Sequence, residues 1–437
     1  MTKKKNKLYR LITMTALAAV MILGMVIPAL ASPITNGPIL GTEENPAEAA
    51  ITKTLKMGEG VDTPEFTFTF EFTPVSVDGA AAAAAHETPN MPAIVSATVK
   101  FDKENDTGKT VNGVKNVSKE TQSLFDGIKW PHAGVYIYTV KETQSVLETL
   151  TEKEALVFSQ AQYKLSVYVA NGKDGLYVAA IGAVVVAKDG EAGTPSGDKV
   201  DGRPGGDPEI EGDFSKIVFT NVYEKHTGSG DPKDYALAIS KTVTSEDGSL
   251  YDFANREMYF DFMVTVTKSN ANGNASQKYI AYILDENGKV VTSDKNYSGA
   301  ILTDEDYGDY IEFSSGKMEK VKLKHGQWIS FVDLEIGATY TVTELAKTNY
   351  IPGCLHTING ADPVTLQGVS GSSFSVTDTA VTAGDDRVDF INVQKMITPT
   401  GISLDDLPYL ALIGVITLAM VGFIVLKSRR NSRETEA

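Results

Sequence analysis

Phe66, Phe68, Phe70 and Phe72 alternate with Thr67, Thr69 and Glu71. A period of two turns one face of an extended strand toward an apolar interior. The same alternation returns from Ile94 to Phe101, Val135 to Val140, Tyr163 to Val169 and Tyr177 to Val186. β-Branched and aromatic residues fill these runs, and few segments follow a helical period. The pattern predicts an all-β fold. Between the runs, Gly79 and Ala80 to Ala85 form a low-complexity stretch, read as a surface insertion or short helix. Lys188 to Asp213 shifts to Gly, Asp, Glu and Pro, a long polar loop, and residues 224–234 read as a linker. Residues 32–50 lack a regular pattern and read as a flexible leader.

Beyond the linker the order repeats. Leu237-Ala-Ile-Ser-Lys-Thr-Val243 echoes Ile51-Thr-Lys-Thr-Leu55, and Tyr259 to Val266 echoes the phenylalanine ladder. Phe331 to Glu344 echoes the run from Phe125 to Glu142, and Val388 to Asn392 echoes Val218 to Asn221. A repeat of this length implies two copies of one domain, residues 51–223 and 235–396. Short strands separated by turn signals suggest two tandem immunoglobulin-like β-sandwiches.

Three polar residues recur at matching places in the two copies. Lys53 and Lys241 lie in the first strand, Glu142 and Glu344 follow the Tyr/Val alternation, and Asn221 and Asn392 lie in the last strand. Strand parity puts Lys53 with Ile51 and Leu55, Lys241 with Ile239 and Val243, and Asn221 with Phe219 and Tyr223. Asn392 shares its parity with Phe390 and Val388. An inward lysine is very costly unless it is paired. A buried Lys–Glu ion pair, or plain exposure, explains one copy alone. Recurrence of all three types points instead to an intramolecular isopeptide bond. Burial lowers a lysine pKa and raises that of a carboxyl. The neutral amine then attacks the asparagine carboxamide, a protonated glutamate relays protons to departing ammonia, and alignment in the core supplies the effective molarity.

The whole chain carries a formal charge of -16. Lys3, Lys4, Lys5, Lys7 and Arg10 crowd the start, so the stretch after them is more acidic still. Such acidity argues against nucleic acid or anionic lipid as a partner. Cys354 is the only cysteine, which excludes an intrachain disulfide and suggests a small apolar filler. Five scattered histidines give no metal-ligand spacing, and no nucleophile elbow or HExxH motif marks an enzyme. Neither cofactor nor metal is expected.

Both ends carry export signals. The basic start, the apolar stretch Leu11 to Leu30 and the exit Ala29-Leu30-Ala31 have the parts of a secretory signal peptide, residues 1–31. At the other end, residues 397–437 hold Ile397-Thr-Pro-Thr-Gly401, an apolar run from Leu407 to Leu426, and Lys427, Arg429, Arg430 and Arg433. The run is long enough to cross a bilayer, and the basic cluster would hold its end in the cytoplasm. Motif, span and basic stop in this order resemble the tails of Gram-positive surface proteins that sortases process. There the cut falls between the Thr and the Gly, here Thr400 and Gly401.

The paired Lys/Glu/Asn sets and the tail together resemble the backbone pilins of Gram-positive sortase-assembled pili, the T-antigen-type shaft subunits. The resemblance implies bonds from Lys53 to Asn221, promoted by Glu142, and from Lys241 to Asn392, promoted by Glu344. It also implies an acceptor lysine just before the strand that carries the first Asn. Lys216 fits that position, with Lys199 and Lys188 as alternatives. The implied partners are identical subunits, a pilus-class sortase, minor tip and base pilins, and peptidoglycan through the base. The chain would be displayed on the cell wall after transient retention by its span. A wall-anchored adhesin that binds a host ligand without polymerising is the alternative.

Overall fold

A computed structural model describes residues 38–81, 91–94, 97–144, 146, 148–189, 197–205, 215–245, 256–269, 271 and 277–394. The signal peptide, Ala82 to Ala85, the 397–401 motif, the 407–426 span and the basic tail lie outside them. No helix among the described residues is long and apolar enough to cross a membrane. The described residues form an all-β fold of four sheets, two built mainly from strands before the expected linker and two from strands after it.

The first pair consists of an eight-stranded and a six-stranded sheet. Thr67–Val77, Gly134–Glu142, Gln162–Asn171 and Leu176–Ala187 form the body of the larger one. Thr52–Gly58 and Val218–Thr227 lie at the centre of the smaller one. Alternate side chains enter a common core: Phe68, Phe70, Tyr136, Tyr138 and Leu165 from one side, Leu55, Met57 and Phe219 from the other. Burying each such side chain contributes about 1.5–3 kcal/mol. The second pair repeats the plan with an eight-stranded and a four-stranded sheet. Here Phe260, Phe262, Tyr340 and Val342 meet Ile239, Phe331, Val388 and Phe390.

In each pair the first and last strands run side by side and parallel. Phe219 is the register partner of Lys53 in the first, and Phe390 that of Lys241 in the second. No tight turn can join parallel neighbours. The rest of each sandwich is therefore the crossover between them.

Three stretches differ from the sequence expectation. Residues 38–50, read as a leader, pack onto the first sandwich: Ile39–Leu40 pairs with Leu176–Ala187, and Ala49 and Ala50 are fully buried. Ala80–Ala81 is a short strand paired with Ser76 and Val77. The start of the linker is strand, because Val218–Thr227 continues past Glu224 and pairs His226 and Thr227 with Glu335 and Leu334 of the second sandwich. Around this joint, Ile336 joins the first core and its N–H donates to the Lys225 carbonyl at 2.8 Å. Gly58 and Gly337 make the approach feasible. A Cβ on Gly58 would lie 2.2 Å from the Ile336 carbonyl oxygen, and Gly337 has φ 89°, where a side chain is strained.

Candidate isopeptide sites

Lys53 sits inside the first sandwich because its strand neighbours on the same face, Ile51 and Leu55, are core residues. Asn221 follows two residues after Phe219, which returns it to that face one step along the adjacent strand. Glu142 reaches them from the facing sheet, where it pairs with Phe70. All three side chains are shut off from solvent. Lys53 Nζ lies 2.7 Å from Glu142 Oε1 and 4.4 Å from the centre of the Phe68 ring. Asn221 Nδ2 donates to the same Oε1 at 3.0 Å.

The second sandwich repeats the placement of these three side chains and of the phenylalanine ring. Lys241 Nζ lies 3.0 Å from Glu344 Oε1 and 4.5 Å from the Phe260 ring centre, and Asn392 Nδ2 donates to Oε1 at 2.6 Å. Phe390 occupies the position of Phe219, and Phe262 that of Phe70, each pair of rings in contact. The structure thus brings together both Lys/Glu/Asn sets that the sequence singles out.

Burial sets the electrostatics. It pushes Lys53 down to about 8 against the opposing pull of Glu142, and Lys241 down to about 8 against that of Glu344. It pushes the Glu142 carboxyl up, with Lys53 and Asn221 pulling the other way. In the first site both shifts favour the neutral pair, a free amine beside a carboxylic acid. That is the protonation state in which the amine is a nucleophile and the acid can protonate a leaving group.

Two participants escaped the sequence reading. The Ser159 backbone N–H donates to Asn221 Oδ1 at 2.7 Å. Asp189, inside the stretch read as a polar loop, gathers the backbone around that donor. Its carboxylate accepts from Ser159 Oγ at 2.8 Å, from Gln160 N at 2.7 Å, from Ala161 N at 3.1 Å and from Thr220 N at 3.0 Å. A backbone donor leaves no mark in a sequence, and one aspartate among many in a Gly/Asp/Glu-rich run has no pattern to betray it.

Lys216 is exposed and lies just ahead of Val218–Thr227. Its backbone is firmly held: its N–H donates to the Asp201 carbonyl at 2.7 Å, Ser215 Oγ donates to the Ala50 carbonyl at 2.7 Å, and Thr52 Oγ1 donates to the Ser215 carbonyl at 2.7 Å. The Glu120 carboxylate accepts from both Gly205 N and Ser215 N. Lys199 is exposed in a two-residue strand, and Lys188 pairs with Asp198 at 2.9 Å. Lys216 is at the opposite end of its strand from the joint with Leu334–Glu335. In the second sandwich Asp386 pairs with Leu237, next to that joint, and Gln394 with Ser245 at the far end. Lys216 and Gln394, the last described residue, therefore both lie at strand ends remote from the joint. Thr400 and Gly401 themselves are outside it. Cys354 is buried in the second core, which pushes its thiol up to about 11, as suits an inert apolar filler.

Residues 49–224 match the family described as Spy0128-like isopeptide containing domain, and residues 235–394 match a domain of unknown function (DUF7601). No curated protein matches. Among solved structures, the major pilin from Streptococcus pyogenes is 19% identical, with 80% of this chain and 99% of that one covered at a TM-score of 0.29. A second Streptococcus pyogenes major pilin is 17% identical over 80% and 98% of the two chains, at a TM-score of 0.28. A pilus-presented adhesin is 11% identical over 79% and 100%, at 0.23. Residues 49–224 are thus similar to the Spy0128-like isopeptide containing domain family.

Proposed function

We propose that this protein is the backbone subunit of a covalent cell-surface pilus. A sortase cuts between Thr400 and Gly401 and joins the Thr400 carbonyl to the Lys216 amine of the next subunit. Bonds from Lys53 to Asn221 and from Lys241 to Asn392 fasten the two sandwiches internally. Residues 1–31 are removed on export, the 407–426 span holds the precursor until the cut, and a base pilin carries the finished fibre to peptidoglycan. Tip and base pilins complete the assembly.

The observation that carries this reading is the duplicated site: lysine, glutamate and asparagine, all buried, in the same register on the same strands of two sandwiches. A buried ion pair alone is a poor source of stability. Retention of two, each with an amide on the shared carboxylate oxygen, is better explained by chemistry. The lysine Nζ attacks the asparagine Cγ and the new C–N bond replaces the bond to Nδ2. The glutamate takes a proton from the amine and returns it to Nδ2, which leaves as ammonia. One ammonia is lost per bond, and the glutamate is regenerated.

The placement of Lys216 and Gln394 at strand ends remote from the joint supports head-to-tail growth. The firmly hydrogen-bonded backbone at Ser215 favours Lys216 over Lys199 and Lys188 as acceptor. Intact-mass measurement of the folded, secreted protein tests the internal bonds: two ammonias should be missing, and an unshifted mass removes the proposal. Detergent-resistant multimers in wall extracts separate a shaft subunit from a non-polymerising adhesin.

A further inference from the structure

The two sites are not equal. In the first, the oxygen of the amide under attack already accepts a backbone N–H, from Ser159 at 2.7 Å. In the second, Asn392 Oδ1 is buried and finds no donor among the described residues. Attack by the amine turns this oxygen into an oxyanion, so a donor aimed at it stabilises the transition state more than the starting amide. Donors at about 2.7–3.1 Å do this well, and losing one commonly costs about 10²–10³ in rate.

The Ser159 donor is held in place chiefly by one carboxylate, with Gln144 Nε2 also donating to the Ser159 carbonyl at 3.0 Å. Asp189 ties Ser159, Gln160 and Ala161 to Thr220, the residue before Asn221. It thereby fixes the loop and the reacting strand relative to each other. The loop also borders an open polar cleft, lined by Thr143, Gln144, Ser159 and Gln160, that reaches Glu142.

We propose that Asp189 is a positioning residue that holds the Ser159 N–H on the Asn221 carbonyl, and that the first site consequently closes its bond ahead of the second. This rests on the proposed internal bonds. The overall change remains the exchange already written, amine plus carboxamide giving the substituted amide plus ammonia. The addition is a donor for the intermediate oxyanion and a second acidic group near the amine. The charged groups acting on Lys53 are Glu142 and Asp189, both raising its affinity for a proton. Loss of the Asp189 charge therefore makes the amine neutral at lower pH.

The experiment is cell-free synthesis of the chain from residue 32 to 400, quenched in acid at intervals and mapped by mass spectrometry for both cross-linked peptides. In the wild-type protein the Lys53–Asn221 peptide should appear first. In Asp189→Asn its rate should fall at least about tenfold, part of the penalty for losing the donor outright. The pH midpoint of its formation should also move down, while the Lys241–Asn392 peptide keeps its wild-type rate and midpoint. A purely structural role would slow the bond without moving the midpoint. The inference is overturned if the second bond closes first or together with the first in the wild type, or if Asp189→Asn leaves rate and midpoint unchanged. The wild-type order decides even where the variant folds poorly. Absence of both cross-links at all times would instead reject the proposed function itself.

Discussion

Replacing Lys53 by Met isolates the worth of one internal bond. Methionine is close to lysine in length, unbranched and apolar, so it can fill the slot beneath the Phe68 ring that the amine occupies at 4.4 Å. Burial already raises the Glu142 pKa, and without Lys53 the carboxyl can stay protonated while bonded to Asn221. What disappears is the link. Joining Lys53 to Asn221 closes a loop of about 170 residues, and chain-entropy arithmetic gives about 5 kcal/mol for removing that freedom from the unfolded state. At about 2–4 °C per kcal/mol for a sandwich of this size, the first transition should fall by about 10–20 °C. Calorimetry on the secreted protein reads the shift, and intact mass should show one lost ammonia where the wild type shows two. A variant that still loses two, or melts within about 3 °C of wild type, would refute the reasoning.

Three more expectations follow from the same geometry. In a double variant, Asn221→Ala with Asn392→Ala, both lysines stay unlinked with folded values of about 8, below that of the unfolded chain. The unfolded state then holds more protons from about pH 8 to 9.5, so stability should rise with pH over that window; a urea midpoint that stays flat or falls contradicts this. Lys216→Ala should abolish the high-mass ladder in wall extracts while monomer export continues, and an unchanged ladder clears Lys216 of the acceptor role. Gly58→Ala would drive a methyl against the Ile336 carbonyl at 2.2 Å and should loosen the joint between the sandwiches. X-ray scattering should report a broader distribution of inter-domain distances, and an unaltered profile argues that the joint yields without opening.

Much of this is legible because strands announce their faces. Parity alone puts Lys53 beside Ile51 and Leu55 and Asn221 beside Phe219, and duplication shows one lysine, one glutamate and one asparagine at matching places in each copy. Register was not legible, since nothing in either strand says that Phe219 lies opposite Lys53. Residues 38–50 read as a leader because Ile39 is the one large side chain they bury, and the others, Ala47, Ala49 and Ala50, are too small to form a hydrophobic period with it. The composition of residues 224–234 reads as a linker, but Glu224 and Lys225 are strand because they pair with Ala155 and Glu154, and His226 and Thr227 because Leu334–Glu335 of the other sandwich supplies the pairing. Tertiary contact decided that segment. Asp189 was hidden for a related reason: its importance comes from four donors on other segments.

The parallel neighbours at the centre of each sandwich also decide where a pulled fibre is taut. On the proposed linkage, tension arrives at Lys216 and runs straight down Val218–Thr227 into the second sandwich. Everything before Lys216 hangs beside that strand as a passenger. The Lys53–Asn221 bond is then a tether keeping the passenger attached, outside the line of force. In the second sandwich tension arrives at Leu237 and departs at Gln394, with Lys241 and Asn392 on adjacent strands between them. Their bond bypasses the chain from residue 242 to 391 and spares it from stretching. The two bonds share a chemistry, but only the second sets how far the shaft can lengthen.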